Sequence, residues 1–150
     1  MIKNILISLA LFLSLNLVTK PISEEEVVFK VNQFFELLDI EAYEKEKIST
    51  ILTKDFQIFE MGKAWDMDEF DKFIQEASQT TASTSWILSD YVISVDENSA
   101  HVSYRNDGVF QTKNDETIIS YWLESVYLIR EEGELKLKFL QSDLVNRETK

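Results

Sequence analysis

Hydrophobic and polar residues alternate along this chain with two different periods, and the change of period divides it into helices and strands. From Glu24 to Asp39 the apolar residues Val27, Val31, Phe34, Phe35 and Leu38 recur at helical spacing and define one buried face. Ser23 stands before that run with Glu26 three residues on, the pattern of a capping box, and Ile22 with Val27 forms the matching staple. A second, more charged helix is expected over Glu41 to Leu52, packing through Tyr43, Ile48, Ile51 and Leu52. A short strand, Asp55 to Met61, puts Phe56, Ile58 and Glu60 on one face, and Gly62 allows a turn. Asp66 and Glu69 then cap a third helix whose buried side is Phe70, Phe73, Ile74 and Ala77.

Beyond a polar stretch read as a loop, Ser78 to Ser85, the period falls to two. Ile87, Ser89, Tyr91, Ile93 and Val95 alternate with more polar neighbours, and Ala100, Val102, Tyr104 and Asn106 do the same. A strand apolar on both faces follows from Thr117 to Arg130, and a last one from Leu135 to Val145. Helices grouped first and hairpins after them predict an α+β domain with an antiparallel or mixed sheet.

The first twenty residues stand apart. Lys3 precedes the apolar run Ile5–Val18, too short for a membrane span and of the form of a secretory signal peptide. Residues 1–20 are therefore expected to be a leader, residues 22–147 the folded domain, and the mature protein exported to the periplasm or the exterior, without stable membrane association. A net charge of −12 argues against nucleic acid as a partner. With no Cys and a single His, His101 on a polar strand face, neither a thiol nucleophile nor a transition-metal site is expected, and nothing in the sequence calls for a cofactor.

The element order resembles the nuclear transport factor 2-like superfamily. The segment TKDFQIFEMGKAWDMDEF is similar to the first strand and third helix of its SnoaL-like branch, and WLESVYLIREEGELKLKFLQSDLV to its closing hairpin. The resemblance implies a cone: a curved sheet wrapped around three N-terminal helices, open at one end as a pocket, with members often paired through their sheets as homodimers. That superfamily holds isomerases, cyclases, dehydratases, transport adaptors and members without known activity, so fold does not choose function. Where the related pattern usually carries His, this chain has Gln141. Phe139 stands where a second aromatic or His is common, and Leu135 where Trp is usual.

Strand pairing narrows the candidates for a pocket. A two-residue turn at Glu132-Gly133 sets Leu128 opposite Leu137, Val126 opposite Phe139, Glu124 opposite Gln141 and Trp122 opposite Asp143. A turn at Glu97-Asn98 likewise sets Tyr91 opposite Tyr104 and Ser89 opposite Asn106. The hairpin near Lys113–Glu116 needs a longer turn or a bulge. The expected ligand contacts are Phe56, Ile58, Tyr91, Tyr104, Asn106, Trp122, Glu124, Val126, Phe139 and Gln141. Three readings stay open: a module binding a small, partly apolar molecule, an isomerase-, cyclase- or dehydratase-type enzyme, or a pure interaction domain. In the second, Glu60, Glu124 or Asp143 is the general base and Tyr104 the oxyanion donor. Glu124 with Gln141, and Glu60 beside Gly62, also have purely structural readings. The face Ile119, Tyr121, Leu123, Tyr127 and Ile129 is too apolar for solvent and suits a homodimer.

Overall fold

The computed structural model describes residues 20–150, so all but the last residue of the expected leader lies outside it. Helix α1 spans Glu24–Leu38, and its N-cap Ser23 accepts a hydrogen bond from the Glu26 amide at 3.2 Å. The reciprocal half of the expected capping box is replaced. Both Glu26 carboxylate oxygens accept from Arg130 Nη2, at 3.3 and 3.1 Å, which ties the first turn of α1 to the sheet. Val27, Val31, Phe34, Phe35 and Leu38 are buried, as their spacing requires.

Helix α2 is a single turn, Lys45–Ser49, rather than the longer helix expected. Two competitors shorten it. Asp39 accepts from the Glu41 amide and turns the chain, while Ile51 and Leu52 are drawn into the sheet opposite Leu137. Strand β1 therefore begins early, Leu52–Glu60. Met61 and Gly62, both at positive φ, reverse the chain into a short strand that the sequence did not announce, β2, Lys63–Trp65. Helix α3, Met67–Ala77, carries the expected capping box between Asp66 and Glu69. Four long strands complete the chain: β3 (Thr81–Val95), β4 (Ser99–Thr112), β5 (Thr117–Glu131) and β6 (Glu134–Thr149).

The expected loop Ser78–Ser85 thus gives way to strand from Thr81. Its β-branched and small residues suit a pleated edge, with Thr84 turned inward to donate to Asp39 Oδ1 and accept from the Ile40 amide. The sheet order is β2-β1-β6-β5-β4-β3, with β1 and β6 parallel and every other pair antiparallel. The sheet is curved and unclosed, and the three helices fill its concave side.

Turns fell where expected, but registers slipped between them. Glu132 and Gly133, both at positive φ, form the two-residue turn, and Leu128 pairs with Leu137. Lys138 is then an extra residue, a bulge between the Leu128–Leu137 and Tyr127–Phe139 pairs. A one-residue slip exchanges the faces of a strand. Val126 consequently faces Leu140, Glu124 faces Ser142 and Trp122 faces Leu144; a second bulge follows, between the Trp122–Leu144 and Tyr121–Asn146 pairs. Phe139, Gln141 and Asp143, expected inside, lie on the outer face. A bulge around Asp90, itself at positive φ, does the same to β3: Leu88, not Ser89, sits opposite Asn106. Tyr91 remains inward, its ring 5.8 Å from that of Tyr104, with its hydroxyl donating to Asn32 of α1.

Candidate functional site

Between α1, α3 and the concave face of the sheet lies a cavity of about 190 Å³. Its helical wall is Phe34, Phe35 and Leu38 from α1 with Phe70, Phe73 and Ile74 from α3. Those positions are apolar because the helical period turns one face of each helix onto the sheet. The sheet contributes Ile58 and Glu60 from β1, Trp86 from β3, Asn106 and Phe110 from β4, Trp122 and Glu124 from β5, and Leu140, Ser142 and Arg147 from β6.

Glu124 is the ionisable group set deepest in this wall, 7% exposed. Its Oε1 accepts from Ser142 Oγ at 2.9 Å and its Oε2 from Asn106 Nδ2 at 3.2 Å. Both partners are neutral. Burial therefore dominates and pushes the carboxyl up to about 7; the hydrogen bonds pull the other way, and the nearby charge of Glu60 adds to the rise. Tyr104 pairs with Glu124 across the strands and is turned towards the same carboxylate, but its hydroxyl makes no well-aligned hydrogen bond. Burial, and then the charge of Glu124, hold that phenol well above its usual value.

Glu60 sits where β1 and β6 part company, just past the last paired residues Phe59 and Gln141. Burial raises its carboxyl too, against the opposing pull of Arg147. Arg147 is exposed and donates through Nε to Ser120 Oγ at 2.9 Å. Glu60 and Ser142 also line a surface cleft on the far side, together with Gln141 and Asp143.

Three rings meet over Gly108. Trp86, Phe110 and Trp122 have centroid separations of 5.4 Å (Trp86–Phe110), 6.1 Å (Phe110–Trp122) and 6.2 Å (Trp86–Trp122). A Cβ on Gly108 would lie 2.8 Å from Trp122 Cζ3 and 2.9 Å from Trp86 Cζ3, so the indoles close over this spot because it has no side chain.

Of the residues singled out from sequence, Ile58, Glu60, Asn106, Trp122 and Glu124 line the cavity together. Phe56 and Val126 are packed in the core beyond it, and Tyr91 and Tyr104 stand behind the wall. Phe139, Gln141 and Asp143 are on the other face. Tyr104 is thus placed to act on Glu124 rather than on a ligand. The lining residues Leu140 and Ser142 were hidden by the bulge at Lys138, for which the sequence carries no signal. Trp86 follows a Ser/Thr-rich stretch and carries no sequence signal of its own, and the phenylalanines of α1 and α3 read as core from their helical spacing.

No protein-family model matches the sequence, and no curated protein matches it. Solved structures do. A candidate scytalone dehydratase from Novosphingobium aromaticivorans superimposes with a TM-score of 0.67 at 15% identity, over 83% of this chain and 85% of that one. A candidate ketosteroid isomerase from Shewanella frigidimarina gives 0.64 at 16% identity, over 80% and 96%. The association domain of CaMKII from C. elegans gives 0.64 at 14% identity, over 79% and 93%. Together with the three helices and the six-stranded mixed sheet, these likenesses establish the nuclear transport factor 2-like α+β cone as the fold of this chain.

Proposed function

We propose that this chain is an exported protein that binds a small, partly apolar molecule in the cavity of its cone. The observation that carries this reading is a largely apolar cavity, open at its rim, with Glu124 in its wall and only a few polar groups converging on it. The volume suits a single ring with a short substituent, since a cavity of about 150 Å³ is enough to take up benzene. Export rests on the leader-like residues 1–20. Pairing through the outer face of the sheet is supported by Leu123 and Tyr127, which stay 52% and 38% exposed there, and by the fold likeness to an association domain.

A second reading, proton-transfer catalysis, is favoured by one specific observation. A carboxyl held at about 7 exchanges its proton readily near neutrality, which suits a general acid or base. Its likenesses of fold to a candidate dehydratase and a candidate ketosteroid isomerase are compatible with that chemistry. In this version Glu124 is the base, and the second amide hydrogen of Asn106 and the rim residue Arg147 are the donors available to a developing oxyanion.

Native mass spectrometry of the mature protein from its own host tests the first reading and reports processing and oligomer together. Retained mass that leaves on denaturation, in a chain lacking its leader, supports it. A chain still carrying residues 1–20, recovered with the cytoplasm, removes the export part.

A further inference from the structure

The charge balance of the cavity identifies what it is built to hold. Among the described residues Glu124 has no cation within ion-pair distance, and the seven ion pairs seen there all lie elsewhere. Its two hydrogen bonds come from an amide and a hydroxyl, and a carboxylate has about four acceptor sites. The Tyr104 hydroxyl, turned towards the carboxylate from behind the wall, is a further neutral donor, so negative charge and some acceptor capacity are left over at the cavity wall. Glu60, at the rim, adds a second negative group. The one cation on the lining, Arg147, is exposed, engaged by Ser120 and beside Glu60, so it offsets the rim carboxylate and not the deep one.

The rings of the wall match, and the unpaired indole N–H groups of Trp86 and Trp122 ask for no more than an acceptor on the ligand's body. Trp86, Phe110 and Trp122 converge over Gly108 on the sheet side, and the phenylalanines of α1 and α3 face them. Aromatic walls attract cations through the negative faces of their rings, most strongly where water is excluded. An anion entering this chamber meets two carboxylates, and a neutral molecule leaves the buried charge of Glu124 uncompensated. A positively charged group removes that cost. A net charge of −12 also raises the local concentration of cations around the whole protein.

We propose that the ligand is a small organic cation, an amine with a ring-sized apolar body, whose ammonium group pairs with Glu124 inside the aromatic chamber. This rests on the ligand-binding reading above. Calorimetry and tryptophan fluorescence at pH 8 with benzylammonium, benzyl alcohol and benzoate, three probes of nearly one shape and different charge, test it. Benzylammonium is expected to bind about tenfold or more tightly than benzyl alcohol, and benzoate more weakly than either. Glu124→Gln, with folding confirmed by near-ultraviolet circular dichroism, should bring the amine and the alcohol to within about threefold of each other. In the wild type the preference should shrink at pH 5, where Glu124 is protonated while the amine stays charged. Benzyl alcohol binding as tightly as the amine, or a preference that survives Glu124→Gln, overturns the cation inference and leaves the ligand-binding reading standing. Binding of none of the three at millimolar concentration removes the ligand-binding reading and the inference with it.

Discussion

Glu124 carries a burial cost that makes the protein's stability depend on pH in a defined direction. Its folded-state value of about 7 stands above the ordinary 4.5. Between those values the folded chain keeps a proton that the unfolded chain releases, so stability falls as pH rises through the window. The full cost, about 3 kcal/mol, is present above pH 7. Burial of Glu60 acts with the same sign. Thermal denaturation from pH 4.5 to 8 should therefore show a falling Tm in the wild type and a flatter course in Glu124→Gln; parallel curves would mean that burial of this carboxyl costs nothing. Gly108 is the other residue on which the chamber depends. A methyl there would meet two indoles at under 3 Å, and both are packed against further rings. Gly108→Ala should cost about 1–3 kcal/mol in urea denaturation and perturb the near-ultraviolet dichroism of the tryptophans. The sequence exposes neither effect, because a Gly within a strand and a Glu among apolar residues each fit several environments.

At the level of the element, β6 shows how one inserted residue redirects a face. Its turn, its length up to Leu137 and its partner strand all follow from the alternation of Leu135 and Leu137 with lysines. Lys138 is then taken out of the alternation. In the structure it forms an ion pair with Asp55, where β1 and β6 also change register. Ser142 thereby becomes the donor to Glu124, and Gln141 becomes surface. Ser142→Ala should raise the Glu124 carboxyl further, since it removes a bond that favours the charged form, as a carboxyl 13C titration would report. Gln141→Ala should leave that titration and the stability within about 0.5 kcal/mol of wild type. The reverse ranking would restore the unbulged register. Helix boundaries were more legible. Asp66 and Glu69 fix the start of α3 by satisfying amides locally, and Asp66→Ala should cost about 1 kcal/mol.

For the whole molecule, the two faces of the sheet have different fates. The concave face is covered by α1 and α3 and lines the cavity. The convex face leaves Leu123 and Tyr127 partly open, with Phe59 and Phe139 in edge-to-face contact nearby at 4.9 Å. A homodimer covering this patch predicts that Leu123→Lys or Tyr127→Lys yields a monomer in sedimentation velocity, with little change in cavity binding. A wild type that is already monomeric at micromolar concentration would instead leave the patch to another partner.

Local spacing was enough to specify α1, α3, the two tight turns and the inward positions of β4, because each is set by contacts within a few residues or across one turn. The α+β class followed from the order of those elements, and the cone from resemblance to a known family. The bulges, the parallel β1–β6 pairing and the closure of rings over Gly108 were decided only in three dimensions. A bulge changes which residue faces inward without altering composition, and its position depends on how distant strands fit together. The identity of the groups around Glu124 rests on those choices, so the cavity became readable only once the sheet had been assembled.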